Sequence, residues 1–396
     1  MSVSTNPVTP PMRYLHTTIS WLFLVLFIGL LFSPIFGKYT GMERHIVVAE
    51  VKSEPLPPLT ADPASWCRFF DGLRRQYLDR HYGFRDLLIS WNNYLDMFVL
   101  PSAAPSSRVL VGEDKWLFLT TDSAGRNMLL DAKYPNPLSQ TKLARLAAEL
   151  ERRRQWLAAR GISYVVVLTP NKNTIYPEKL PPSLQPEDPG RNLRELTTYL
   201  QHHTKVDVVD VTSALLRYKK TGDVFFVSDS HWNPLGAFAG YQAIVKVLKR
   251  DFPAIDPLRR QQFRSEFYRG IPGDLAVMTG LTDHFKEDRL WFVNKEGYHA
   301  RGASYSGPME DWFLTMPQCS VSDNPALPRA LVLHDSYWWE ILPFIAESFS
   351  QALYVWALPP TQQHFRHFDK ALVEQFKPNV VIEEFAERYI MLSARD

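Results

Sequence analysis

Short buried strands and amphipathic helices alternate along most of this chain. Four short runs predict strands: ISYVVVLTP, whose continuous hydrophobicity suits a strand that is buried on both faces, ALVLH, which is another buried strand, and ALYVW and NVVIEEF, which complete the series. Helical patterns separate them, among them a helix that begins at Pro234, since proline is favoured in a first helical turn. This alternation predicts an α/β sandwich with a mostly parallel sheet. In such folds the chemistry gathers beyond the carboxyl ends of the strands.

Composition excludes several classes of protein. The chain has 396 residues, and 44 basic residues nearly balance 42 acidic ones, with no basic block. A nucleic-acid-binding protein would show a basic excess, so we expect no nucleic-acid partner. The two cysteines, Cys67 and Cys319, are too few for a disulfide scaffold, and their pairing stays open.

One segment departs from this ordinary composition. Residues 19–36 contain no charged side chain and are long enough to cross most of a hydrocarbon core. We interpret them as a transmembrane signal anchor, although a cleaved signal peptide and a buried core helix are the alternatives. This predicts a cytoplasmic tail over residues 1–18, a linker with lead-in helices over 37–105, and a catalytic domain over 106–396.

Polar residues that suit acid–base and nucleophilic chemistry follow the predicted strands. Asp229 and His231 stand two residues apart before the Pro234 helix, where a carboxylate can orient an imidazole that acts as a base. Ser336 follows ALVLH, at a strand-to-helix turn that exposes a hydroxyl beside backbone N–H groups. Lys172 and Asn173 lie in a polar loop after ISYVVVLTP. The alternative interpretation is structural, with helix caps and ordinary turn residues at all three places.

The histidines offer no metal-binding pattern. They are scattered, without an HExxH motif or cysteine partners, and the chain has no Walker or GxGxxG loop. We therefore expect neither a metal nor a nucleotide cofactor.

Several short motifs, taken in order, resemble those of the AlgX/AlgJ family of SGNH hydrolase-like proteins, which are alginate O-acetyltransferases and their DHHW-type relatives. The matching segments are Tyr82–Asp86, Gly112–Phe118, Pro170–Pro181, Asp229–Trp232 with Gly236, Gly273–Ala276, His334–Tyr337 and Pro378–Arg388. The resemblance implies an SGNH hydrolase-like three-layer α/β/α sandwich, here preceded by the transmembrane helix. The sequence departs from the family pattern at His334, where a glycine is usual, and at Tyr337, where phenylalanine is common.

The resemblance also implies roles for individual residues. Ser336 is expected to be the nucleophile, His231 the base and Asp229 the group that orients it. The N–H of Ser336 is the first choice of oxyanion donor. Contacts with the substrate or the oxyanion are expected from Lys172, Asn173, Tyr176 and Tyr337.

The function implied is that of a membrane-anchored O-acetyltransferase. It would carry acetyl on a serine to hydroxyls of an exported polysaccharide, with its catalytic domain in the periplasm and its helix in the bacterial inner membrane. The expected partners are a membrane-bound O-acyltransferase that donates acetyl, and other polysaccharide export proteins. Two alternatives remain open, a polysaccharide acetylesterase and a non-catalytic polysaccharide-binding scaffold. Nothing in the sequence selects the polymer.

Overall fold

The computed structural model describes residues 18–29, 32–33, 62–72, 85–99, 108–121, 127–133, 138–305, 314–356 and 368–393. The chain divides into two compact units. One comprises Met1–Ser106 with Val277–Leu281, and the other comprises Ser107–Ala276 with Thr282–Asp396.

The first unit is helical in its described part. Residues 18–29 form an exposed helix, and helices α1 (Pro63–Gly72) and α2 (Arg85–Tyr94) follow, with a π-helical turn at Leu95–Val99. The remainder of the proposed anchor, at 30–31 and 34–36, lies outside the described residues. Of the helices described, none is both long and apolar enough to span a membrane. The assignment of tail, anchor and linker to residues 1–105 stays a prediction.

The second unit contains the sheets and the remaining helices. Its helices are α3 (Met128–Lys133), α4 (Gln140–Ala158), α5 (Lys172–Ile175), α6 (Arg191–His203), α7 (Thr212–Lys219), α8 (Pro234–Asp251), α9 (Asp274–Thr279, whose last residues belong to the first unit), α10 (Trp338–Ile345), α11 (Lys370–Phe376) and α12 (Glu387–Ser393). Its strands are β1 (Val109–Val111), β2 (Leu117–Leu119), β3 (Ser163–Thr169), β4 (Asp207–Asp210), β5 (Phe263–Pro272), β6 (Lys286–Asn294), β7 (Arg301–Ala303), β8 (Leu314–Val321), β9 (Arg329–His334), β10 (Gln351–Trp356) and β11 (Val380–Ala386).

Seven of these strands form the central sheet, in the order β4-β3-β11-β9-β10-β8-β7. The first five are parallel to one another, whereas β8 and β7 add an antiparallel edge. Alternate residues of β3 point to opposite sides: Val165 and Val167 pack with α7, α8 and α10, and Val166 packs with α4, α6 and α11. Helices therefore cover both faces of the sheet, and the mixed α/β fold expected from the sequence is confirmed.

Local sequence explains where the long helices begin. The side chain of Ser139 accepts a hydrogen bond from the N–H of Lys142 at 3.2 Å and caps α4. Asn233 caps α8 in the same way, accepting from the N–H groups of Leu235 and Gly236. Gly236 is required here because an added Cβ would lie 2.1 Å from the carbonyl oxygen of Val224. The first turn of α8 therefore packs closely against the backbone at Val224.

Two antiparallel pairs of strands form separate small sheets, β1–β2 and β5–β6. The β1–β2 hairpin has its turn at Glu113–Lys115. The β5–β6 ribbon was not predicted, because most side chains of β5 are exposed and the strand contains no buried apolar run. This ribbon matters for function because β6 carries charged side chains to the loop that contains Asp229.

Candidate active site

The candidate site lies at the carboxyl ends of the parallel strands. Ser336 comes just after β9, and Arg388 comes just after β11, which is the neighbour of β9 in the sheet. Because parallel strands end at the same edge of a sheet, these two side chains meet there. The third segment, Ser228–His231, is the loop that precedes α8.

Asp229 and His231 form a hydrogen-bonded pair. Nδ1 of His231 lies 2.7 Å from Oδ1 of Asp229, and the same oxygen accepts a hydrogen bond from the His231 backbone N–H at 3.1 Å. The other oxygen of Asp229 accepts hydrogen bonds from the Arg289 guanidinium and from the N–H of Asp274. Asp229 is only 7% exposed, so its charge is held by these donors and not by bulk solvent.

The pair changes the acidity of both partners. Burial alone would raise the pKa of Asp229, but its hydrogen bond to His231 and the charges of His231 and Arg289 hold that pKa well below its usual range. Burial opposes protonation of His231, yet the hydrogen bond and negative charge of Asp229 outweigh it and raise the pKa of the imidazole. A carboxylate at Nδ1 selects the tautomer that carries its proton there, which leaves Nε2 as the basic nitrogen.

Backbone contacts fix the loop that carries this pair. The Glu287 carboxylate of β6 accepts hydrogen bonds from the N–H groups of Val227 and Ser228, at 2.7 and 2.9 Å. Oγ of Ser228 accepts from the N–H of Gly273 at 2.8 Å. A Cβ on Gly273 would lie 2.3 Å from the Ser228 carbonyl oxygen, so only glycine permits this approach.

The turn that carries Ser336 is held by buried carboxylates. Glu384 of β11 accepts a hydrogen bond from the Asp335 N–H at 2.9 Å, and Asp335 accepts one from the Tyr337 N–H, also at 2.9 Å. Ser336 itself is partly exposed, and its Oγ accepts a hydrogen bond from Nη2 of Arg388 at 3.3 Å. The serine hydroxyl is therefore presented beside a guanidinium.

The loop and the turn are in direct contact through Tyr337. The indole N–H of Trp232 donates to the Tyr337 carbonyl at 2.9 Å, and the His231 and Tyr337 ring centroids are 5.5 Å apart. The structure thus brings Asp229 and His231 together and packs them against the residue that follows Ser336. It contains no hydrogen bond between His231 and Ser336: among the described residues, Nε2 of His231 has no hydrogen-bond partner.

Two of the predicted substrate-contacting residues have other roles in the structure. Nζ of the buried Lys172 donates to the carbonyl oxygens of Leu117, Val227 and Asp229, at 2.7 to 2.9 Å. Burial lowers the pKa of Lys172 to about 7, against the charges of nearby carboxylates. Three carbonyl acceptors use all three donors of its ammonium form, so Lys172 secures the loop backbone and has no donor left for a substrate.

Tyr176 is a core residue. Its ring packs on Trp116 with centroids 4.2 Å apart, and its hydroxyl accepts a hydrogen bond from the Val224 N–H at 2.8 Å. Asn173 is buried in α5. Its proposed contact with the substrate stays a prediction, as does that of Tyr337.

One cluster has side chains of the types that bind metals. Within the part of the chain that is described, ligand atoms of Asp229, His231 and Asp274 lie within 4.8 Å of one another. We interpret it as a hydrogen-bonded network, because the Arg289 guanidinium already neutralises Asp229 and Ser230 already binds Asp274. The expectation that no metal takes part stays a prediction.

Three charged residues near the site were not assigned to it from the sequence: Arg388, Arg289 and Asp274. Arg388 and Asp274 lie inside motifs that carry the family resemblance, so the sequence marked both positions. It did not indicate what either side chain does. Arg289 lies in the unpredicted ribbon, and no local pattern marks it.

A known protein family matches a region of the chain that contains the Asp229–His231 pair. Residues 109–315 match the family described as "SGNH hydrolase-like domain, acetyltransferase AlgX". The chain belongs to this family. The matched residues include the pair and end before Ser336. The AlgX/AlgJ resemblance stated from the motifs is confirmed.

Individual relatives share low sequence identity with this chain. The chain is 24% identical over 299 residues to the probable alginate O-acetylase AlgJ of Pseudomonas aeruginosa, covering 72% of this chain and 71% of that one. It is 27% identical over 300 residues to the Pseudomonas putida protein of the same name, covering 71% and 70%. The solved O-acetyltransferase domain of Pseudomonas putida AlgJ has a TM-score of 0.47 at 21% identity, with 73% of this chain and 95% of that chain covered.

Proposed function

We propose that this protein is a polysaccharide O-acetyltransferase that works through an acetyl-serine intermediate. The observation that supports the proposal most is the Asp229–His231 pair packed against the Ser336 turn. The loop and the turn contact each other through Trp232 and Tyr337. Membership of the AlgX family and the names of the AlgJ relatives point to acetyl transfer as the reaction.

The first half of the reaction loads the serine. Nε2 of His231 accepts the proton of the Ser336 hydroxyl as Oγ attacks the acetyl carbonyl of the donor. The tetrahedral intermediate then breaks its bond to the leaving group, which takes the proton from His231. The products are acetyl-Ser336 and the free donor.

The second half transfers the acetyl group. A sugar hydroxyl attacks the serine ester while Nε2 of His231 accepts its proton, and the proton returns to Oγ when the ester bond breaks. Asp229 holds Nδ1 throughout and stabilises the imidazolium that forms in each half.

Arg388 supplies positive charge where negative charge develops. Its Nη2 lies 3.3 Å from Oγ of Ser336 and so stands beside any oxygen anion formed on the bound carbonyl. The N–H of Ser336 donates to no group in the described part of the chain and is the second oxyanion donor in this proposal.

We further propose the cellular setting. The uncharged segment at 19–36 would anchor the chain in the inner membrane with the catalytic unit in the periplasm. A membrane-bound O-acyltransferase would supply acetyl, and the acceptor would be an exported polysaccharide such as alginate, handled with other export proteins.

The Ser336→Ala variant tests the catalytic proposal. We expect acetyl release from an aryl acetate, and acetylation of an oligosaccharide acceptor, to fall by roughly a thousandfold or more, with an unchanged circular dichroism spectrum. Ser213→Ala, at an exposed position of α7, is the matched control and should keep native activity. Native activity in Ser336→Ala would refute the serine mechanism. Release of acetate without acceptor acetylation in the native protein would favour the esterase.

A further inference from the structure

A second carboxylate lies beside the imidazole of His231. Oδ2 of Asp274 is 3.6 Å from Nδ1 of His231, next to the 2.7 Å contact of Asp229 with the same nitrogen. Ser230 links the two groups: its Oγ donates to Oδ2 of Asp274 at 2.5 Å and lies 3.3 Å from Nδ1. The histidine proton therefore faces two carboxylates and not one.

The two carboxylates differ in their charge balance. Asp229 forms an ion pair with Arg289 on β6, so much of its charge is already neutralised. Among the described residues, His231 is the only cationic group within ion-pair distance of Asp274. An imidazolium at position 231 consequently gains stabilisation from Asp274 that Asp229 alone does not supply.

The fold holds Asp274 firmly in this place. Its backbone N–H donates to Oδ2 of Asp229 at 3.2 Å, and its Oδ1 accepts from the N–H of Ser230 at 2.7 Å. The Gly273 contact with Ser228, described above, brings the start of α9 against the loop. Burial, reinforced by the charge of Asp229, raises the pKa of Asp274 above its usual value.

Other charged groups also act on the imidazole. Arg388 opposes its protonation, and Glu340 of α10 lies close enough to interact with His231, Asp229 and Arg289. Burial raises the pKa of Glu340 to about 7, so at neutral pH this carboxyl is only partly charged. Among the residues that the structure describes, Asp274 and Asp229 are the two carboxylates within 4 Å of Nδ1.

We propose that Asp274 is a positioning residue of the catalytic histidine, acting with Ser230 to hold the Nδ1 proton and to stabilise the imidazolium. The proposal rests on the acetyltransferase function proposed above. In this proposal His231 has a second acidic partner besides Asp229, and this partner does not contact the substrate.

The test is the pH dependence of Asp274→Asn. Loss of the negative charge should lower the pKa of His231, so the acidic limb of the kcat/KM profile for an aryl acetate should move to lower pH. We expect kcat to fall about tenfold, less than the loss of a general base itself causes. The matched control is Asp283→Asn, which changes an exposed aspartate that pairs with Lys286. It should leave the acidic limb of the profile and kcat unchanged.

A second readout does not depend on turnover. Titration of His231 by ¹⁵N NMR should show a lower imidazole pKa in Asp274→Asn and a restored value in Asp274→Glu. An unchanged pKa of His231 would overturn the proposal, even if activity is lost, because that loss would then be structural. If Asp274→Asn does not fold, Ser230→Ala replaces it: a smaller fall in the same pKa supports the proposal, and no fall overturns it.

The parent hypothesis fails in a different way. If Ser336→Ala retains activity, the serine mechanism is refuted whatever Asp274 does to the pKa of His231. If Ser336→Ala is inactive and the pKa of His231 is unchanged in Asp274→Asn, only the role of Asp274 is lost.

Discussion

Two segments present the candidate catalytic side chains, and they are held by different means. The Ser228–His231 loop has no regular structure, and side chains from β6, α9 and α5 bind it through hydrogen bonds and an ion pair. The Ser336 turn follows directly from a buried strand. Its polar support comes from within the sheet, where Glu384 of the adjacent strand accepts from the Asp335 N–H.

This difference separates two requirements of the chemistry. The base must have a defined charge and tautomer, which the polar groups around Nδ1 of the imidazole provide. The nucleophile needs mainly a defined position, which a strand end in a packed sheet provides. Substitutions of the charged groups that surround the base should therefore change the pH dependence, whereas substitutions beside the serine, or of the base itself, should change the rate.

The largest effect should come from removing the base. His231→Gln deletes the proton acceptor, so we expect kcat for acetyl release to fall by about 10²–10⁴-fold with the melting temperature little changed. His202→Gln, at an exposed position of α6, is the control and should behave as the native protein. Turnover in His231→Gln within tenfold of native would mean that the loop does not supply the base.

A smaller effect is expected from Arg388→Lys on the serine side. The lysine keeps the charge but loses the guanidinium N–H that reaches Oγ of Ser336, so kcat should fall roughly 10- to 100-fold. The acidic limb of the pH profile should shift little. Arg152→Lys, whose side chain is 71% exposed, serves as the control. A large pH shift with an unchanged limiting rate would show that Arg388 acts on the histidine and not on the developing oxyanion.

The smallest effect on turnover should follow Arg289→Gln. The charge of Asp229 is then unbalanced, which raises the pKa of His231 further and moves the acidic limb upward by about half to one pH unit. Above that limb the rate should stay near native. This shift is opposite in sign to that of Asp274→Asn. The two variants therefore distinguish a charge that neutralises Asp229, as Arg289 does, from a charge that stabilises the imidazolium, as proposed for Asp274. Arg264→Gln, exposed on the same ribbon, should show no shift; a downward shift in Arg289→Gln would contradict the assignment.

Much of the fold was predictable because its signals are local. The apolar runs of β3, β9, β10 and β11 identified the parallel strands, and Pro234 marked the start of α8. The order of the strands in the sheet cannot be inferred from the sequence as directly, because strand pairing depends on contacts between segments that are distant in the chain. The β5–β6 ribbon escaped prediction since its exposed side chains lack the alternation of a half-buried strand.

The sequence by itself determined the α/β architecture and the three residues proposed for catalysis, because hydrophobic periodicity and short motifs are properties of neighbouring residues. Only the tertiary structure decided that Lys172 turns inward to three carbonyls, and that Arg289 and Asp274 converge on Asp229 and His231. These contacts join residues that lie 43 to 60 positions apart in the sequence. Charge interactions depend on distance in space and on burial, and neither quantity is encoded in a local pattern.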